Sequence, residues 1–457
     1  MVDNLIYKRE NGYEVKNASR DKKIYNFCEG YKNFIGKAKT ERVYVKDTIK
    51  VLESNGYKEF SRDMKIKKGD KIYFNNRNKA LIAVEIGEDK IDTGISMIGA
   101  HIDSPRLDLK PVPLLENSGL LYIKTHYYGG IKKYQWPIIP LSMYGTVALK
   151  NGKTVDIVIG EDKDDPVFVI TDILPHLGAL QSKKTLSEAI EAEQLSAIGA
   201  TIPYNDTEEK EKIKLNFLSI LNKKYKITEE DLISAEITLV PNMEPRDAGL
   251  DRSLVAAYGQ DDRVCAYAAI EALINSKPGK KTKVVLLADK EEIGSMGNTG
   301  MESNFFTFTM EELAENQNCK LRDVLSNICC ISADVCAAYD PSFAEVYEKN
   351  NSLFVNQGVA IMKYTGARGK SGASDASAEL VGKIRTIFNK GDVKWQIGEL
   401  GKVDAGGGGT IAQIVANLGA DVIDCGTPLL SMHSPYEVAS KYDIYMTYKG
   451  YKVFLES

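Results

Sequence analysis

The sequence predicts an α/β fold on a mostly parallel sheet, interrupted by a separate β-rich block. Three observations carry this expectation. After Asp251, helix-like DRVCAYAAIEALI leads to strand-like KVVLLAD, and ICCISADV, VAIMKYT, VKWQIGEL, IAQIVANL and DVIDCG follow; alternating helical and continuous apolar patterns argue for helices on both faces of a parallel sheet. From Arg106 to about Pro245 the texture differs, with short strand-like runs (LLYIKTHYY, TVALK, TVDIVIG, VFVIT) punctuated by Gly and Pro. Finally, 457 residues with 43% hydrophobic and 27% charged side chains can bury a substantial core, which excludes disorder as the general state. The predicted boundaries are 1–105 and 246–457 for a discontinuous α/β domain, with 106–245 inserted.

Taken in order, the opening to about Asp70 reads as helical. Phe27, Tyr31 and Phe34 share one helical face, and Val43, Ile49 and Leu52 mark a second amphipathic run. KIYFNN, ALIAVEIG and ISMIGA are β-branched or aromatic runs broken by polar turns, hence strands. In the middle block, Asn151-Gly152 predicts a hairpin through a tight primed turn, because both residues tolerate positive φ. Ile213, Phe217 and Leu221 then mark an amphipathic helix, and Thr228-Glu-Glu-Asp231 resembles a helix start.

The charge balance narrows the function. Lys and Arg number 59 against 63 Asp and Glu, so no basic excess exists to drive binding to a phosphate backbone. The N-terminus lacks the apolar core of a secretory signal, and no stretch approaches the ~20 apolar residues of a membrane span. The 7 cysteines are odd in number and form no repeated CxxC pairs, which reads as reduced thiols in a cytoplasmic protein.

The chemistry concentrates at predicted strand ends. His101 and Asp103 end ISMIGAHID, Glu291 and Glu292 follow VVLLADK, Asp334 follows ICCISA, and His433 lies beyond DVIDCG; Asp261 and Asp262 open a helix. Ligands of open α/β sheets bind at the carboxyl ends of strands, so these groups are placed to converge. A lone carboxylate there is usually a cap or a solvated loop residue. The joint pattern weighs more, since two of only 4 histidines take part. Imidazole and carboxylate together suit zinc, manganese or cobalt, and a carboxylate can bridge two ions. GARGKS is rejected as a phosphate loop because Tyr364 stands where its first Gly is required. Gly406 to Gly409 read either as a flexible loop or as a close backbone approach to a ligand.

AHIDSPRLDLKP, GLDRSLVAAYGQDDRVCAY, DKEEIGSMG, SADVCAAYDP, KSGASDASAEL, ELGKVDAGGGGT and LSMHSPYE closely resemble the aspartyl aminopeptidase / vacuolar aminopeptidase I family of dinuclear zinc metallopeptidases, in the family's order and over nearly the whole chain. The resemblance implies a metallopeptidase catalytic domain with an inserted dimerisation domain, acting on the N-terminal residue of peptides. It implies Asp261 as bridging carboxylate, His101 and Asp334 on one metal, Glu292 and His433 on the other, and Glu291 as general base. Asp103 would orient the His101 imidazole. Two divalent ions per subunit are expected, zinc first, with manganese or cobalt as alternatives.

His176, in a Pro-His-Leu segment, would reach a partner subunit's active site, in dimers assembled into a tetrahedral dodecamer. His126 matches nothing in the family, so a packed or surface histidine is its default. IKKYQWPIIPLSMYG departs from the usual family sequence, which leaves the preferred N-terminal residue open between acidic and neutral aliphatic. Lys370 is the candidate substrate-binding cation, with a solvated loop lysine as the equal alternative. Competing functions are a two-metal deacylase or carboxypeptidase, and a non-enzymatic oligomeric scaffold; the presence of all five expected ligands and the base argues against the last.

Overall fold

The computed structural model describes residues 5–14, 21–205 and 207–457. These form two compact units. The larger takes its residues from 1–103, 245–432 and 437–457, and the smaller from 104–244 with 433–436.

The first helix, α1 (Lys22–Ile35), is capped by Asp21, whose side chain accepts from the Lys23 N–H. It buries Ile24, Cys28, Tyr31 and Ile35, while α2 (Glu41–Ser54) buries Tyr44, Val45, Thr48 and Leu52. Phe27 and Phe34 stay partly buried at the rim of this core. Helix ends at Ser54 rather than near Asp70, and four strands follow: β1 (Lys58–Glu59), β2 (Lys71–Asn76), β3 (Ala80–Glu85) and β4 (Ile95–His101).

The smaller unit contributes β5 (Arg106–Asn117), β6 (Leu120–Tyr128), β7 (Pro140–Ala148), β8 (Thr154–Ile159), β9 (Phe168–Val169), β10 (Ser196–Ala200) and β11 (Ala235–Pro241). Their order is β11-β5-β6-β10-β9-β7-β8, and a further β11–β7 pairing closes a barrel with β8 outside it. Closure covers the edges that an open sheet of this length would leave, except along β8. Trp136, Leu141, Ile123 and Leu239 fill the barrel core, joined by Ile213, Phe217 and Leu221 of α3 (Lys212–Tyr225). β7 and β8 form the expected hairpin. Only Gly152 takes positive φ, at 79°, while the Asn151 side chain accepts from the Lys153 N–H at 3.0 Å, so the turn is not the primed type. Thr228-Glu-Glu-Asp231 starts only a short 3-10 turn, Glu230–Ser234, with the Asp231 carboxylate reaching back to the Thr228 N–H at 2.7 Å.

Back in the larger unit, β12 (Arg246–Ala248) and β13 (Leu254–Ala257) precede α4 (Gln260–Asn275) and β14 (Thr282–Ala288). Then come α5 (Phe305–Asn316), α6 (Leu321–Ser326), β15 (Ile328–Ser332), β16 (Cys336–Ala337), β17 (Val359–Met362), α7 (Ala378–Lys390) and β18 (Trp395–Ile397). α8 (Ala412–Ala416), β19 (Asp421–Gly426), β20 (Pro428–Leu430), β21 (Glu437–Ser440) and α9 (Lys441–Leu455) complete the chain. Nine described strands form the main sheet in the order β1-β2-β3-β14-β4-β15-β19-β17-β18. That sheet is mixed, not mostly parallel. The run β14-β4-β15-β19 is parallel, but β3 lies antiparallel to β2 and β14, and β17 antiparallel to β19. A strand buried on both faces has the same apolar run whichever way it points, so its direction does not show in the sequence. Val285 and Leu287 of β14 pack with α1, α2, α4, α7 and α9, whereas Val284 and Leu286 pack with α5, α6 and α8 on the other face.

Candidate active site

Register explains why distant residues meet. Within the parallel run, His101 pairs with Ala288 and Gly99 with Ser332, so β14, β4 and β15 end side by side. His101 is the last residue of β4, Glu291 and Glu292 form the one-turn helix just beyond β14, and Asp334 lies two residues past β15. Asp261 comes from the start of α4. That start is pinned by the fully buried Arg263, which donates to the carbonyls of Gly259, Tyr258 and Ala38 at 2.8, 3.1 and 2.5 Å. The Glu437 carboxylate also accepts from the Gln260 and Asp261 N–H groups, at 2.5 and 3.2 Å. The Asp261–Asp262 peptide is cis.

His101, Asp261 and Asp334 are buried, and each offers a ligand atom within 4.8 Å of the others; Asp261 and Glu292 offer oxygens within the same distance of each other. His101 Nε2 lies 3.2 Å from Asp261, 3.8 Å from Glu291 and 4.0 Å from Asp334. Its Nδ1 faces Asp103 instead, 3.2 Å from the carboxylate and 3.1 Å from the carbonyl. Asp103 does more than orient the imidazole: its two oxygens accept from the N–H groups of Glu291 and Glu292, both at 3.1 Å. One buried carboxylate thus fixes both the ring and the turn carrying the glutamates.

Such a cluster of acids asks for a cation. Burial pushes the Asp334 carboxyl well above the usual range, and the charges of Asp262, Asp261 and Glu291 add to the shift that His101 opposes. Burial likewise raises Asp262 strongly. Burial disfavours a charged His101, yet its hydrogen bonds to Asp103 and Asp261 and the charge of Glu291 outweigh that and hold its pKa well above normal. The proton drawn to Nε2 and a divalent ion compete for the same electron pair. Several carboxylates around one imidazole nitrogen fit a metal of the zinc, manganese or cobalt type.

His433, half-buried and in the left-handed region at φ 63°, sits in the turn between β20 and β21 and groups with the smaller unit, where its Nδ1 meets the Gly130 carbonyl at 2.9 Å. A Cβ on Gly130 would lie 3.2 Å from that nitrogen. His176 is exposed on the short turn Pro175–Leu177 of the smaller unit, and His126 is exposed on β6. Lys370 lies in a loop of the larger unit, 3.3 Å from both Asp375 oxygens and 3.9 Å over the Tyr364 ring. At two positions of the glycine run the packing itself requires glycine. Beta carbons would lie 2.0 Å from the Leu400 carbonyl oxygen at Gly406 and 2.5 Å from the Ala367 Cα at Gly407, so these glycines let the loop press against its own chain. Sequence reasoning missed Glu437, although it closes the LSMHSPYE segment; its backbone-holding role leaves no spacing signature.

Imidazole and carboxylates converging at the ends of parallel strands define a metal-dependent hydrolase of the α/β class. The family described as "Aminopeptidase I zinc metalloprotease (M18)" matches residues 34–455. A probable M18 family aminopeptidase 1 of Clostridium acetobutylicum is 47% identical, with 100% of both chains covered. The crystal structure of an M18-family aminopeptidase from Thermotoga maritima superposes with a TM-score of 0.95 at 44% identity, over 99% of this chain and 100% of that one. The mApe1 dodecamer of S. cerevesiae shares the fold at 22% identity and TM-score 0.77, over 95% and 96% of the two chains. The chain belongs to the M18 family of zinc metallopeptidases, and it is an aminopeptidase. The deacylase and scaffold alternatives are not favoured.

Proposed function

We propose that the protein removes N-terminal residues from peptides at a two-metal site. Asp261 would be shared between the two metals, with His101 and Asp334 completing the donors of one and Glu292 and His433 those of the other. The observation that carries this reading is the convergence of Asp261, Asp334 and Glu291 on His101 Nε2, at 3.2, 4.0 and 3.8 Å. For His433, the support is its anchored Nδ1 and its place four residues before Glu437, whose carboxylate accepts from the Asp261 N–H. Bound dications would polarise the scissile carbonyl and acidify a water between them. Glu291 accepts the water proton and passes it to the departing amine, while Asp103 keeps His101 and the Glu291 turn in register.

Acidic first residues are the preference that Lys370 supports, its ammonium being the candidate partner for their carboxylate. Neutral aliphatic residues are the second reading, favoured by the Asp375 carboxylate already 3.3 Å from that ammonium. The 106–245 block serves as a dimerisation domain, and dimers assemble into a tetrahedral dodecamer. Ile173, Leu174, Leu177 and Leu180 support this, being 47 to 78% exposed around His176, an apolar surface that a second copy would cover. The seven free thiols suit the cytoplasm, and no helix among the described residues is long and apolar enough to cross a membrane.

Metal-stripped protein refilled with zinc, manganese or cobalt, assayed on acidic, aliphatic and basic aminoacyl reporters and their N-acetylated forms, tests the reading. Cleavage should return with metal and vanish on acetylation; cleavage of acetylated substrates overturns it. Faster turnover of Leu than of Asp and Glu reporters rejects the acidic preference.

A further inference from the structure

We propose that Ile293 and Met296 form an apolar shelf for the side chain of the peptide's second residue, the one whose amine departs. This rests on the reading of Glu291 as proton carrier. The loop beyond Glu292 folds back at once: the Gly294 N–H donates to the Glu291 carbonyl at 2.9 Å, and the Ser295 N–H to the Lys290 carbonyl at 2.7 Å. Lys290, Gly294, Ser295 and Gly297 all take left-handed backbone, with φ of 67°, 97°, 60° and 83°. Non-glycine residues persist there only where the surroundings over-determine them. Those surroundings are tight, since Ser295 is buried and a Cβ on Gly300 would lie 2.1 Å from its carbonyl oxygen. The same frame nevertheless presents Ile293 and Met296 to solvent, 45% and 60% exposed. The Met296 methyl lies 3.9 Å from where a Gly294 Cβ would stand, so the side chain folds back toward the end of the Glu291 turn.

The path of the proton identifies the occupant. Water oxygen bonds to the carbonyl carbon, the C–N bond breaks, and one water proton travels by way of the Glu291 carboxylate to the departing nitrogen. The other water proton stays with the products. Glu291 must therefore come within about 3 Å of that nitrogen. The second residue's Cα is bonded to the same nitrogen, so its side chain leaves the scissile bond on the Glu291 side, and the exposed residues that continue from Glu291 are the ones we assign to it. The first residue lies across the scissile carbon. The shelf thus selects peptides with Leu, Met or Phe in second position.

The test uses the zinc-loaded enzyme on dipeptides X-Leu and X-Gly that share the best-cleaved first residue. X-Gly turnover reports the aminopeptidase site, and the ratio of the two kcat/KM values reports the shelf, because general damage lowers both. Wild type should favour X-Leu by about tenfold. Met296→Ser should bring the ratio to within about threefold of unity, Met296→Leu should restore it, and Phe308→Ser, an exposed apolar change on α5, should leave it as in wild type. A wild type without preference, or a preference that survives Ile293→Ser with Met296→Ser, overturns the shelf. Absence of turnover on both peptides overturns the reading of the site, and the shelf with it.

Discussion

Adjacent residues Glu291 and Glu292 are given different work, and that division is the sharpest check on the site. Glu292→Ala should lose metal, because a charged donor is gone. Glu291→Gln should keep its metal, being nearly isosteric, yet lose turnover by ~10²–10⁴-fold, since an amide cannot accept the water proton. Elemental analysis beside steady-state kinetics on both variants decides: normal turnover in metal-replete Glu291→Gln sinks the mechanism, and metal loss in that variant exchanges the two roles. These residues were legible in the sequence because each follows a predicted strand, and the parallel register of β14, β4 and β15 brings such ends together. Asp103 was legible only in part. Its spacing from His101 suggested contact with the ring, but its two bonds to the Glu291 and Glu292 N–H groups join segments 188 and 189 residues apart. The crowding of Gly406 by Leu400 and of Gly407 by Ala367 left no mark in the sequence, because it is a tertiary fact.

At the scale of elements, strand existence was plain from apolar runs while direction was not, as β17 against β19 illustrates. The ionic joint between α1, β12 and α9 was equally hidden. Asp247 on β12 receives Lys32 of α1 at 2.5 Å, Lys441 of α9 at 2.7 Å and Arg252 at 2.8 Å, and Lys441 is 1% exposed. Burial alone would raise the Asp247 carboxyl, but the three cations overcome it and hold the pKa far below the usual value. Replacing it by Asn leaves the buried Lys441 with the more distant Glu29 carboxylate, 3.8 Å away, at a cost of about 3 kcal/mol near neutral pH. The sign of the pH dependence follows from the depressed pKa. The folded carboxylate stabilises above the unfolded value of about 4, and this contribution fades as pH falls toward the folded value. Denaturation of wild type and Asp247→Asn should therefore show a gap that is constant from pH 5 to 7 and narrows below about 4. A gap unchanged at low pH would mean that Asp247 acts through packing rather than charge.

Over the whole molecule, the change of texture at Arg106 signalled a β-rich block, but not that its strands close into a barrel through β11 and β7, because closure depends on pairing residues such as Ile237 with Gly145. What that block does for catalysis is a question about more than one copy. His176 stands exposed among apolar side chains, with Leu174 50% and Leu177 66% exposed beside it. If it serves the active site of a partner subunit, His176→Ala in one subunit and Asp261→Ala in the other fall on the same site of a hybrid dimer. One site then lacks both residues and the other retains both. Mixed subunits, unfolded and reassembled together, should recover up to about a quarter of wild-type activity, the share expected when half the dimers are hybrid and each hybrid keeps one of two sites. Separate preparations of each variant should stay inactive. Sedimentation must show that hybrids formed, and only monomers at working concentration would count against the assembly itself. Verified hybrids without recovered activity would confine His176 to a structural role in its own subunit.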